Sequence, residues 1–255
     1  MKLLFALFFL VLSWQSQAFS RTGHHMVCDM AFELMSKQSQ TWVQQLVSMS
    51  DVDSFAAACV WPDEVRSEPE FRWSAPHHYV NMQRGQSSVT NESCPEVGCV
   101  LSAIADMQQR LKKDPLDWQA LFFFAHHLGD LHQPLHVSFA DDLGGNRTAV
   151  YFLNVTTPSN LHGVWDRNII SHLGYDDDLK KRQALLQAIN GGQQQSWRKG
   201  KVLDWANESA AITVALYEEY RPGMLIDEAY ITRHSSTLEQ RLQQAAVRLA
   251  MLIDL

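Results

Sequence analysis

The run His126-His127-Leu128-Gly129-Asp130-Leu131-His132-Gln133-Pro134-Leu135-His136 gathers histidines and a carboxylate into one short segment. His126 and Asp130 are four residues apart, so a helix carries both on one face. His162 and Asp166 repeat that pairing in His162-Gly163-Val164-Trp165-Asp166. His136 lies beyond Pro134, which ends the helix and lets His136 turn toward a different centre. Imidazole nitrogens and carboxylate oxygens are the usual ligands of catalytic zinc. Two His/Asp pairs, His136 and His78 supply enough ligands for more than one ion. A lone His/Asp pair is more often a salt bridge. This cluster, however, adjoins the apolar run Leu121–Ala125, where uncompensated charge is costly. His127 and His132 face other directions and stand outside the expected ligand set. His24 opens the first helix close to an expected new N-terminus. A free α-amino group, with a pKa of roughly 8, can lose its proton and coordinate metal.

These residues need elements to position them. Residues 24–47 have helical apolar spacing at Val27, Met30, Ala31, Leu34 and Met35. A polar, Pro-containing region runs from 50 to 70, and 72–100 is irregular. A short helix is expected over 101–112. Pro115 fits the start of the next helix, which runs through Trp118, Leu121, Phe122 and Phe124 to Leu131. Residues 137–158 read as loop, with a turn at Gly144-Gly145-Asn146 and a strand at 150–155. A helical turn over 161–166 and helices over 178–190, 202–220 and 235–254 complete the chain. The last carries Leu238, Leu242, Ala245, Ala246, Leu249 and Leu252 as a core stripe. Nothing repeats and no linker divides the chain. The expected fold is all-α, a single mostly helical domain with irregular loops and at most a small β-hairpin.

The 255 residues suffice for one large domain with a substantial core. Lys2, the apolar run Leu3–Leu12 and Ser16-Gln17-Ala18 read as a signal peptide over residues 1–18, cut to leave Phe19 first. No later segment looks transmembrane, so an exported chain without a membrane anchor is expected, secreted or periplasmic. Export permits disulfides. Cys28, Cys59, Cys94 and Cys99 allow three connectivities. Cys94 and Cys99 bracket a short loop and could close it, leaving Cys28 with Cys59. The net charge of -7 argues against a coat of bound nucleic acid on a general basic face. It argues only weakly against a metal-dependent nuclease, because each zinc restores positive charge locally.

The blocks Phe19 to His24, Trp61-Pro62-Asp63, His78-Tyr79-Val80-Asn81, His126 to His136, Gly144-Gly145-Asn146 and Leu161 to Asp166 together resemble the zinc-dependent nucleases of the S1/P1 type. That family shares its fold with the bacterial zinc phospholipases C. The resemblance covers nearly all of 19–255 and implies three zinc ions. One would be held by Asp63, His78, His126 and Asp130. The second would be held by the Phe19 α-amino nitrogen and carbonyl oxygen, by His24 and by the bridging Asp130. The third would be held by His136, His162 and Asp166. The two disulfides above match family pairings. Phe19 stands where the family has Trp, and Asn81 where it has an Asp that hydrogen-bonds the base. Arg66 matches a basic residue near the scissile phosphate, Tyr79 an aromatic that stacks on a base, and Asn146 a polar contact of the nucleotide pocket.

A phosphodiester is an anion, so attack on it needs charge neutralised and water activated. Zinc ions supply both. The resemblance implies an endonuclease with 3'-nucleotidase activity, with Asp63, Arg66 and Asp130 at the reacting centre. Its substrates would be single-stranded RNA and DNA, and 3'-nucleotides, because a base stacks on Tyr79 only when free of a partner. Products would carry a 5'-phosphate. A self-contained domain with one cleft points to a monomer. The strongest alternative is a phospholipase C, which needs a lipid-accepting cleft; a non-enzymatic zinc-sequestering protein is the second.

Overall fold

The apolar spacing over 24–47 resolves into two helices, α1 (Arg21–Leu34) and α2 (Lys37–Val47). The computed structural model describes residues 19–254; the expected signal peptide, residues 1–18, lies outside the described residues. The break comes at Met35, whose backbone is extended, and Ser36, whose side chain accepts the Ser39 N–H and starts a new helix. The polar region that follows holds two short helices, α3 (Phe55–Ala58) and α4 (Trp61–Val65). Pro62 sits in the first turn of α4, where no backbone donor is needed.

A 3-10 turn over Arg72–His78 leads into β1 (Val80–Met82). Then come α5 (Val100–Lys113) and α6 (Trp118–His132). Asp117, not Pro115, starts α6: its side chain accepts the Ala120 N–H at 3.0 Å. Pro115 lies in the preceding turn, where its carbonyl accepts the Trp42 indole N–H. After a 3-10 turn over Pro134–His136 the chain forms β2 (Val137–Phe139) and β3 (Val150–Phe152). The helical turn α7 (Leu161–Gly163) widens into a π-helical turn over Val164–Asn168 before α8 (Ile169–His172). The rest is α9 (Leu179–Gln187), α10 (Gly191–Trp197), α11 (Val202–Glu219), β4 (Met224–Ile226) and α12 (Glu228–Ile253). The sequence spacing missed α10. Helix α12 begins earlier than its apolar stripe because Asp227 caps it, accepting the Tyr230 N–H at 2.8 Å.

The mostly helical fold holds, and the little β structure among the described residues is two parallel pairs of short strands, with Val80 opposite Val137 and Val150 opposite Met224. Each pair joins segments far apart in the chain, as parallel pairing requires. β3 stops at Phe152 because Leu153 turns into the left-handed region at φ 52°.

Helix α6 lies at the centre. Every residue from Ala120 to His132 is buried, the mark of a helix packed on all sides. Helices α5, α11 and α12 pack against it, and α1 lies along α12. Phe122, Phe123 and Leu128 are fully buried, each stabilising the fold by about 1.5–3 kcal/mol. The end of α6 is tied on all sides. Ser209 donates to Leu131 O at 2.6 Å, Thr213 to Pro134 O at 2.5 Å, and Arg241 Nε to His132 O at 3.1 Å. These bonds satisfy the backbone carbonyls of a helix end buried away from water.

Candidate metal centre and substrate cleft

Helix α6 delivers His126 and Asp130 into one buried cluster. His78 Nδ1 lies 3.0 Å from Asp130 Oδ2, and His126 Nε2 lies 3.3 Å from the same oxygen. Asp63, from the first turn of α4, faces both rings, its Oδ1 3.8 Å from each ligand nitrogen. On the other side His24 Nε2 is 3.3 Å from Asp130 Oδ1, and its ring stacks on His126 at 4.0 Å. Asp130 therefore presents one oxygen to each half of the cluster. Gly129 permits this approach, since a Cβ there would stand 2.9 Å from His24 Nδ1. Phe19 is fully buried, its Cβ 2.7 Å from where a Cβ on Gly23 would stand. The Ser20 N–H donates to Asp166 O.

The second group is His136, His162 and Asp166. His162 Nε2 is 3.1 Å and His136 Nε2 3.9 Å from the Asp166 carboxylate. Gln133, in the turn after α6, donates its side-chain N–H to Asp166 Oδ1 and accepts the Leu135 N–H. Sequence spacing did not single out Gln133, though it sits inside the histidine-rich run.

The ring orientations are set by backbone. His126 Nδ1 donates to Cys59 O at 2.7 Å, His136 Nδ1 to His78 O at 2.6 Å, and His162 Nδ1 to Gly144 O at 2.7 Å. Each bond leaves Nε2 as the inward lone pair, the outer-sphere arrangement that metal-binding imidazoles use. The inward atoms approach one another as charged pairs but make no hydrogen bond: His136 Nε2, His162 Nε2, both nitrogens of His24 and Asp130 Oδ1 are buried without one. Buried polar groups are seldom left so. Three groups have ligand atoms all within 4.8 Å of one another: His78, His126, His127 and Asp130; His24, Asp63 and His126; and His136, His162 and Asp166. The donor set fits divalent cations such as zinc.

Electrostatics agree. Burial pushes the Asp63 carboxyl up to about 6 against the pull of His126. Burial also opposes charge on His126, but Asp130 and Asp63 outweigh it and raise the ring to about 9. Burial and the neighbouring His126 lower His24 to about 4. The two carboxylates thus favour positive charge at this point of the cluster, the charge a bound cation would supply.

A cavity of about 260 Å³ opens beside both groups. Arg66, His78, Tyr79, Asn81, His136, Asn146 and His162 line it with Leu143 and Gly144. Tyr79 is 42% exposed at its wall. Arg66 Nη1 is 3.3 Å from Asp63 Oδ1. Asn146 Nδ2 donates to Leu143 O at 2.9 Å. Leu143 was not anticipated; it is held in the left-handed region at φ 57° and is 54% exposed, a strained turn that aims an apolar face into the cleft. The disulfides join Cys28 to Cys59 and Cys94 to Cys99. His132 stands apart from both groups, donating to Leu128 O and accepting from Arg248. No helix among the described residues is long and apolar enough to cross a membrane.

The sequence model of the S1/P1 Nuclease family matches residues 19–255. The chain is similar to Endonuclease 3 of Arabidopsis thaliana, 31% identical over 252 residues that cover 89% of this chain and 85% of that protein. It is 28% identical to Nuclease P1 of Penicillium citrinum over 260 residues, 91% of this chain and 95% of that one. With Nuclease S1 of Aspergillus oryzae it shares 24% identity over 273 residues, 96% of this chain and 94% of that one.

Proposed function

This chain belongs to the S1/P1 nuclease family, and from that premise we propose a three-zinc endonuclease and 3'-nucleotidase that cuts single-stranded RNA and DNA to 5'-phosphorylated products. One observation carries the reading. His78, His136 and His162, each with a buried Nε2 that makes no hydrogen bond, line a cleft that also presents Arg66, Tyr79, Asn81 and Asn146. In this reading Asp63, His78, His126 and Asp130 would hold one ion. His24, Asp130 and the amine and carbonyl of Phe19 would hold a second. His136, His162 and Asp166 would hold the third. The amine is available only once the chain begins at Phe19, so cleavage of an export signal over 1–18 is part of the proposal.

Bound zinc supplies Lewis acidity to the phosphate and to water. The chain's own residues do the rest. Asp63 orients the attacking water, and Arg66 offsets charge on the phosphoryl oxygens. Tyr79 stacks on a base and Asn81 and Asn146 hydrogen-bond it, which selects unpaired strands. A phospholipase is not favoured, since the similar proteins are named nucleases or endonucleases.

The test is hydrolysis of single-stranded RNA by the chain starting at Phe19, with zinc, after EDTA, and after zinc is restored. A choline phospholipid runs beside it, and circular dichroism follows the fold. Zinc-restored cutting to 5'-phosphorylated ends with the lipid intact is expected. A folded, zinc-loaded protein that spares RNA and cleaves the lipid would overturn the reading.

A further inference from the structure

His127 stands outside the ligand set that sequence spacing gives, yet it is fully buried against it. Helix geometry accounts for this. At about 100° per residue, Asp130 projects between His126 and His127, roughly 40° from the first and 60° from the second. His127 Nδ1 lies 3.5 Å from Asp130 Oδ2. That oxygen also faces His78 Nδ1 and His126 Nε2. A carboxylate oxygen has two lone pairs. A cation between His78 and His126 would take one; the other has His127 as its neighbour. The ring is fixed from its remaining sides, stacked on Phe123 at 5.7 Å and edge-on to His77 at 6.3 Å. Its Nε2 has no partner, so the proton belongs on Nδ1, where an acceptor stands.

We infer that His127 is a positioning residue of the metal centre, its Nδ1–H holding Asp130 Oδ2 so that the carboxylate keeps one oxygen turned to each half of the cluster. The inference rests on the reading that zinc occupies this cluster. A carboxylate without that donor is free to rotate and chelate one ion with both oxygens, which abandons the His24 side. Ligating carboxylates are themselves commonly hydrogen-bonded, and loss of such a partner lowers metal affinity about 10–100-fold.

The test compares zinc retention against graded chelator in the parent chain, His127→Phe and His127→Asn. Phe keeps a ring against Phe123 and His77 but has no donor. Asn places an amide N–H near the Nδ1 position. Metal-free thermal melting of all three reports packing alone. We expect His127→Phe to release zinc at chelator concentrations about ten-fold lower than the parent. His127→Asn should stay close to the parent, and the metal-free Phe variant should melt no lower than the metal-free parent. Unchanged retention in His127→Phe, or an Asn variant as weak as Phe, overturns the inference while leaving the nuclease reading intact. So does weaker retention matched by a lower metal-free melting point. Cobalt-loaded parent that shows one more nitrogen ligand than cobalt-loaded His127→Phe makes His127 a direct ligand and also overturns it. A parent chain that holds no zinc overturns both readings.

Discussion

Four of the ligand side chains are held by a partner group that is not itself offered to metal. Backbone carbonyls of Cys59, His78 and Gly144 orient three imidazoles, and Gln133 holds Asp166. Removal of a ligand should therefore cost metal before it costs fold. His136→Ala is expected to lower bound zinc by about one ion per chain, read by elemental analysis, with helical circular dichroism retained. Tyr79 touches substrate and not metal in this reading. Tyr79→Ala should raise KM for single-stranded oligonucleotides about ten-fold, from a stacking contribution of about 1–3 kcal/mol per base. Its zinc content should stay unchanged, and Tyr79→Phe should behave as the parent. The His/Asp pairs were legible because i, i+4 spacing puts both on one face. His127 was set aside as facing another direction, although its i, i+3 spacing to Asp130 also puts the two on one side of the helix. Leu143 was not legible, because nothing in an apolar residue type announces a left-handed turn.

At the scale of elements, close approach between α1 and α6 sets the spacing of the cluster. Gly129 is where the two meet. Gly129→Ala should favour the helix by about 1 kcal/mol in intrinsic propensity, while its methyl, 2.9 Å from His24 Nδ1, pushes that ring off Asp130. Opposite signs are expected: metal-free melting unchanged or higher, and zinc retention lower. Melting in EDTA beside a chelator titration checks both. The helices were largely legible from apolar spacing, and their caps were less so. Ser36 divides a pattern that reads as one helix, and Asp117 starts α6 after a proline that looked like its first residue. The parallel strand pairs were not legible at all. Three-residue strands carry almost no alternation, and their partners lie in remote segments.

Over the whole molecule, burying α6 on all sides forces its polar end to find partners from other helices. Arg241 and Arg248 are both nearly fully buried, and both reach Glu208 of α11 at 2.6 Å. Burial opposes charge on Glu208, but the two guanidinium groups outweigh it and hold the carboxyl below its ordinary value. A depressed carboxylate stabilises the fold above its unfolded pKa of about 4.3, and that stabilisation fades as pH falls through the folded value. Glu208→Gln should cost about 1–2 kcal/mol at pH 7, a discounted figure because the carboxylate is partly exposed. The gap to the parent should close in acid. Urea unfolding in EDTA at pH 7 and at pH 3.5 measures it, and an equal gap at both values would sink this account. Such a network was beyond the sequence: Glu208 and the two arginines look like surface charges until the packing of α11 and α12 on α6 is known.

The carbonyl that aims His126 belongs to Cys59, which is bonded through sulfur to Cys28. The cross-link helps fix the acceptor that aims a metal-binding ring, so the expected order of assembly is covalent closure first and ion capture second. Zinc uptake by reduced and by oxidised chains, compared at equal concentration, reads that order directly; equal uptake would remove it.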